Sequence, residues 1–568
     1  LTPRPENRYG SDAIGGTVNA ISRGRRQGDA IAAHGTAFYR YASAENSNLA
    51  RVELGGEYAH RLGYLLGLSG KDFGDLEGGE EVGTQPRTGY DEWNGDIKLD
   101  LLMQNDSKLT LMHQTTVQND VWRTHATIYG ITWEGLSTGS DKKQAYDQTR
   151  HLTYLQYRGV EPLSFLDQLT ANVSYQTQDE ERSRVRSSDK SEIQGFTVGT
   201  FGAWLQGGSQ TSVGYWTFGA DWYHDDVESF QRSYQADGSL DKVEIQGPVA
   251  DDAAYDLWGV FCQDDVSLSC AVDLLAGARY SYARVDASKV RDPLDGEVIS
   301  VSGDWSSFVG NLRLLFHAGG SEKHAFFGGV SQGFRAPNLS DLTRFDTARS
   351  GEIETASPDL VPERFITYEA GFKARLNWLT GQVSYFYTSI DDMIIRVPTG
   401  SMIDESYEVT KMNSGEGYVQ GVAFGAVATF LDMFRVTGSL SWLDGSVDAY
   451  PTSTSTMVEE PVSRLMPPTG ELAVRWEPGR KRYWIEGALY AADRQDKLST
   501  SDKLDTQRIP PGGTPGFAVL HLHAGWKIHE HLDISAAIEN IGDEDYRIHG
   551  SGVNEPGRNL VFSMHTSF

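Results

Sequence analysis

Trp122, Arg123, His125, Tyr129 and Trp133 crowd into one stretch, VWRTHATIYGITWEG. Aromatic rings interleaved with arginine are the types enriched where proteins grip a partner, by stacking and charge rather than by making bonds. The same residues suit an aromatic girdle followed by one strand, and both readings stand. Arg335 and Arg344 flank a second candidate region. Guanidinium groups there could hold an anion through charge-assisted hydrogen bonds. Bond-making chemistry is harder to find. The sequence has no locatable Ser/His pair, so it is read as no enzyme and as needing no cofactor.

The run HLHAGWKIHEH sets His521 and His523 on one face and His529 and His531 at a short turn. A structural zinc site wants four ligands. Two more are not visible, so these read as lining or turn histidines, with no metal expected. Cys262 lies along a strand and Cys270 at the turn that follows it. At about 3.3 Å per strand residue, the two fall outside the reach of a disulfide, whose Cα atoms lie within about 7 Å. An oxidising compartment would keep such a bond open as an alternative.

The elements that would position these groups are strands. In NLVFSMHTSF, Leu560, Phe562, Met564 and Phe568 share one side, while Val561, Ser563, His565 and Ser567 take the other. Side chains of a strand alternate faces with period two, so the sequence is read as ending inside a strand. LTANVSYQ, YWTFGADWYH, ITYEAGFKARL and HLDISAAIEN repeat the pattern, each with its charges opposite its oily face. An amphipathic helix would repeat every three to four residues instead.

The connections between these strands alternate short and long. KIHEH, EPGRKR, FLDMF and LNWLTG read as short turns. Residues 541–559, 492–516, 444–470 and 391–418 read as long loops. Short turns on one side and long loops on the other are what a membrane-spanning β-barrel shows. No stretch has the ~18 apolar residues of a membrane helix, a test that barrels escape. A formal charge of −28 lacks the basic footprint of a nucleic-acid binder. Its acids are read as solvated loops.

Several segments, in order, resemble the TonB-dependent outer-membrane receptors. RYGSDAIGGTVNAISR, with Tyr9, Gly10, Gly15 and Gly16, looks like the end of that family's plug domain and its junction with the barrel. VSQGFRAPNLSDL carries a Phe-Arg-Ala-Pro signature, and SPDLVPERFITYEAGFK resembles the stretch that follows it. SRLMPPTGELAVRW and ENIGDEDYRIHGSGVNEPGRNLVFSMHTSF are similar to the closing strands. The resemblance implies an all-β fold: a transmembrane antiparallel β-barrel of 22 strands, with short periplasmic turns and long extracellular loops. It implies a plug remnant over 1–22 and a barrel over 23–568. Strands of about 9–11 residues are expected. Phe562 and Phe568 look like the signal read by the barrel-assembly machinery.

By the same resemblance the protein sits in the outer membrane of a Gram-negative-type bacterium. It would serve active uptake of a scarce nutrient, driven by the TonB complex through plug sequence that these residues do not contain. A ferric siderophore is the expected ligand, with cobalamin or haem as alternatives. A passive channel or a surface adhesin remains the reading of another class. The family's haem-uptake branch carries a histidine after the Phe-Arg-Ala-Pro signature. The interval from Asn338 to Ser357 has none, which demotes haem.

Overall fold

The computed structural model describes residue 11 and residues 31–292, 296–321, 323–347, 352–403, 406–451, 456–479 and 482–568. Its wall is a closed antiparallel barrel of 22 strands. Tyr9, Gly10, Gly15 and Gly16 lie outside the described residues, as does all of the expected plug segment except Ser11.

Closure depends on the strand Ile31–Ala42, which pairs with Ser47–Tyr58 on one side and with Asn559–Ser567 on the other. The register sets Tyr41 opposite Phe562 and Thr36 opposite Ser567. One position further, Gly35 and Phe568 exchange both backbone hydrogen bonds, at 2.8 and 2.9 Å. The Phe568 ring lies over Gly35, where an added Cβ would fall 2.1 Å from a ring carbon. Glycine is what gives the ring its seat.

The period-two reading holds on the barrel. Val173, Tyr175, Trp216, Phe218, Tyr368 and Leu560 are exposed on the outer wall. Charged groups of the intervening positions meet inside. Arg279 is buried and holds Asp221 with two hydrogen bonds of 2.8 and 2.7 Å, while its Nε donates to Ser281 Oγ at 2.8 Å. To do so it crosses Gly259, the strand neighbour of both Asp221 and Ser281. A Cβ on Gly259 would sit 1.8 Å from the guanidinium. Both cysteines are free, Cys262 within its strand and Cys270 in the turn.

Two expectations need correction. Strands run from 8 residues (Thr469–Trp476) to 25 (Leu379–Ile403 and Ser406–Phe430), well beyond a membrane crossing. The long loop expected over 391–418 is instead the far end of a paired ladder that reaches Ile403 opposite Ser406. Met393, Ile394 and Ile395 are consecutive apolar residues there, and register shifts on either side of Met393 break the phase, so no clean alternation marks the stretch as strand. Alternation of oil and polarity reports only the part that lipid touches.

At the long-loop end, residues 336–347 and 352–362 fold back onto the inner faces of the extended strands. Leu342, Leu360 and Ala336 pack with Val285, Val290 and Val301 in a small apolar core. Tyr255 donates to the Pro337 carbonyl (2.9 Å) and Trp305 Nε1 to the Leu360 carbonyl (2.7 Å). The Ala336 amide donates to Ser11 Oγ at 3.1 Å, so Ser11 lies at this end too.

Removing the closing ring should weaken the seam. Phe568→Ala loses an aromatic cross-strand contact of about 1 kcal/mol. Gly35→Leu displaces the ring, a strain of about 1–3 kcal/mol by the usual cost of overpacking, with Phe568 itself intact. Both variants should melt earlier than the parent barrel when mobility on unboiled SDS gels is followed against temperature. Unchanged melting would remove the seam contact from the account.

Candidate functional site

Four connections at the long-loop end are sewn together: residues 74–89, 123–142, 493–516 and 540–558. The Gln85 side chain donates to the Asn554 carbonyl (2.9 Å) and accepts from the Asn554 amide (2.8 Å). Thr124 Oγ1 donates to the Arg87 carbonyl (2.6 Å), and the Ser137 amide to the Thr506 carbonyl (2.9 Å). Connections from early and late in the sequence therefore share one surface.

On it the three aromatic residues of VWRTHATIYGITWEG divide into two groups, each built around an arginine from elsewhere. Trp122 and Tyr129 meet edge to face at 5.9 Å. The Arg87 guanidinium lies 5.1 Å from the Trp122 ring and 5.7 Å from that of Tyr129. Arg87 has φ 61°, in the left-handed region. Backbone strain of this kind gathers at ligand clamps. Trp133 lies 5.9 Å from the guanidinium of Arg547, which is 1% exposed. Arg547 is held by neutral oxygens, its Nε and Nη2 both donating to Asn554 Oδ1 at 3.0 and 2.6 Å. Burial lowers its pKa to about 10 against the pull of Glu555, so it stays charged at neutral pH. Burial likewise pushes the Glu555 carboxyl up.

Arg123 and His125 meet each other. Arg123 Nε donates to His125 Nε2 at 3.4 Å, which requires a bare ring nitrogen there. Burial first, then Arg123, pushes the His125 imidazole down to about 4, with Arg508 and Arg547 adding to the effect and Asp505 opposing it. Among the described residues neither Arg87 nor Arg123 has a carboxylate at ion-pair distance, and both are exposed. Arg464 and Arg508, in contrast, each pair with Asp505, at 2.8 and 2.7 Å.

Arg335 has a different setting. Its Nε donates to Glu363 at 2.5 Å and its Nη1 to Asp341 at 2.6 Å. Lys411 then bridges Asp341 (2.9 Å) and Glu354 (3.1 Å), and Arg396 completes the chain on Glu354 (2.6 Å). Burial raises the pKa of Asp341, yet Lys411 and Arg335 outweigh it and hold the carboxyl below its usual range. The same holds for Glu354 through Lys411 and Arg396. Arg335 thus ties the segment around Asp341 to the wall strand that begins at Glu363. Arg344 follows the short helix Leu339–Thr343 and adds positive charge near Glu354. His521 accepts from the Asn540 amide (3.3 Å), and His523 lies 3.7 Å from Glu486.

Sequence reasoning missed Arg87 and Arg547. Only the loop packing brings them to the aromatics, and neither stands near them in sequence.

A family profile described as "TonB dependent receptor-like, beta-barrel" matches residues 71–541. The chain belongs to the TonB-dependent receptor family. It resembles the solved "Copper transporter OprC" at 16% identity and a TM-score of 0.76, over 96% of this chain and 82% of that one. It also resembles a double mutant of the Serratia marcescens hemophore receptor HasR, solved with its hemophore HasA and heme (15%, TM-score 0.74, 94% and 80%). A third is the ferric enterobactin receptor PfeA in complex with BCV-L6 (15%, TM-score 0.74, 100% and 85%). At such identities the likeness is one of fold. No curated protein matches. Family and neighbours are transport receptors rather than enzymes, and membership implies an outer-membrane location.

Two outcomes are expected of this end of the receptor. Glu354→Gln leaves Lys411 and Arg396 facing a neutral group, and breaking a buried pair costs roughly 3–5 kcal/mol. Limited proteolysis should then cut within 336–362 while the barrel wall survives. For His125, the folded value of about 4 lies below the ordinary one. The unfolded loop therefore takes up a proton that the folded loop refuses. The stability this contributes is complete above about pH 6.5 and falls away as pH drops towards the folded value, by up to about 2 kcal/mol at pH 5. Amides of residues 123–142 should exchange faster at pH 5 than at pH 7, after intrinsic-rate correction, and His125→Gln should flatten the difference.

Proposed function

We propose that this receptor takes up an anionic metal chelate, a ferric siderophore, captured at the surface shared by residues 74–89, 123–142, 493–516 and 540–558. The observation that carries the reading is Arg87, beside Trp122 and Tyr129, and Arg123, on His125: two exposed guanidinium groups without carboxylate partners among the described residues. In a chain of net charge −28, anions have few other places to dock. Flat aromatic faces beside free cations suit a ligand with planar aromatic donors and distributed negative charge. The fold-level likeness to a ferric enterobactin receptor agrees with this class. The copper and hemophore receptors among the neighbours show that the barrel alone does not choose the cargo.

On this reading uptake is powered by the TonB complex through a plug, to which residues 1–22 would belong, with 23–568 as the barrel. Phe562 and Phe568 serve as the assembly machinery's recognition residues.

The test is binding of an anionic ferric catecholate against a neutral ferric hydroxamate, followed by quenching of tryptophan fluorescence. The catecholate should bind, and Arg87→Gln with Arg123→Gln should weaken it by at least about tenfold, since each charged hydrogen bond is worth roughly 1.5–3 kcal/mol. Equal binding of the two chelates, or indifference to the substitutions, would overturn the assignment.

A further inference from the structure

We propose that His529, Glu530 and His531 form a binding site for a divalent transition-metal ion, Cu2+ or Zn2+, at the short-turn end of the barrel. The three side chains each offer one ligand atom, and these atoms all lie within 4.8 Å of one another. Among the described residues this is the sole group of three or more His, Cys, Asp or Glu side chains that converges in this way. It stands at the opposite end of the wall from the loops that carry Arg87 and Arg123, and it does not rest on the identity of the transported nutrient.

The backbone explains the convergence. Strand Phe517–His529 turns directly into Leu532–Glu539, with His529 opposite Leu532 and a register shift after Lys527. Chain reversal within two residues turns consecutive side chains towards one another, where an extended strand would send them to opposite faces. The turn is also tethered. The His531 carbonyl accepts from the Ser567 amide and from Thr566 Oγ1, both at 3.0 Å. Its position is therefore set by main-chain contacts to the closing strand, which leave both imidazoles free to act as ligands. The rings of His529 and His531 lie 5.4 Å apart, and Glu530 lies 3.7 Å from His531 Nε2. All three side chains are exposed, so rotamer adjustment can draw their donors in to the ~2.0–2.2 Å bonds of zinc to imidazole and carboxylate.

Two imidazoles and a carboxylate are donors that suit Cu2+ and Zn2+ better than Mg2+ or Ca2+. Three protein ligands leave coordination positions open to water, as three-ligand zinc sites do.

The experiment is titration of the full chain, folded in detergent, with Cu2+ alone, read by calorimetry and by electron paramagnetic resonance. One ion should bind with a dissociation constant in the micromolar range, and the spectrum should carry splitting from two nitrogens. His529→Gln and His531→Gln should each weaken it by about tenfold or more, by analogy with losses at other metal-site positions, and Glu530→Gln by less. His521→Gln with His523→Gln should leave binding unchanged. Unboiled gel mobility verifies that every variant is folded. The proposal is overturned if the parent binds no Cu2+ at micromolar concentration. It is equally overturned if the turn variants bind as the parent does, or if splitting from a second nitrogen is missing.

Discussion

Everything in this molecule depends on a closed ring of backbone hydrogen bonds. In hydrocarbon an unpaired amide or carbonyl costs several kcal/mol, so a sheet can cross a membrane only when its two edges are joined. Here the edges are Ile31–Ala42 and Asn559–Ser567. They join through a register whose last step is the reciprocal pair Gly35 and Phe568. The first hairpins of the chain are thereby neighbours of the last. That neighbourhood is what lets Gln85 bond Asn554, and what brings Arg547 from the far end of the sequence onto Trp133.

Closure also decides where charge can go. With oily side chains outward, each strand sends its alternate residues inward, and the wall must satisfy them there. Arg279 on Asp221, Arg313 on Glu369 and Arg51 on Asp96 are solutions of one kind. The chain of six alternating charges from Glu363 to Arg396 is the same device raised to the long-loop end, where it fixes a loop instead of a strand. Buried pairs of this kind add little net stability, because desolvation offsets most of the attraction. Their contribution is geometric, since one missing partner leaves a charge stranded, and the loop therefore has one good placement.

How much of this was legible follows from which forces act locally. Period-two alternation in LTANVSYQ or YWTFGADWYH is imposed by lipid on each strand separately, so it is written in the residues themselves. So are the tight turns, since LNWLTG and KIHEH fall between two alternating runs. The ladder beyond Asp392 was illegible because the consecutive apolar residues Met393, Ile394 and Ile395 and the register shifts around Met393 break the alternation there. The Phe-Arg-Ala-Pro signature marked Arg335 as a residue of interest. Its partners Asp341, Glu363 and, through them, Lys411 come from three separate segments. The aromatic run at 122–133 was visible, but not the two arginines that organise it.

The contrast between Arg335 and Arg87 sharpens what a binding arginine must be. Both are arginines at the long-loop end, and the sequence marks only Arg335. Yet Arg335 has two carboxylates within 2.6 Å, and an incoming anion would have to displace them. Arg87 faces two aromatic rings, whose quadrupoles hold the cation weakly, by about 0.5–1 kcal/mol where exposed, and leave its donors unspent. A guanidinium so placed is positioned without being neutralised. The left-handed backbone at Arg87 and the Thr124 hydroxyl on its carbonyl position it from the other side. Capture of an anion needs charge that is oriented in advance and still uncompensated, and at this end of the barrel Arg87 meets both conditions where Arg335 meets only the first.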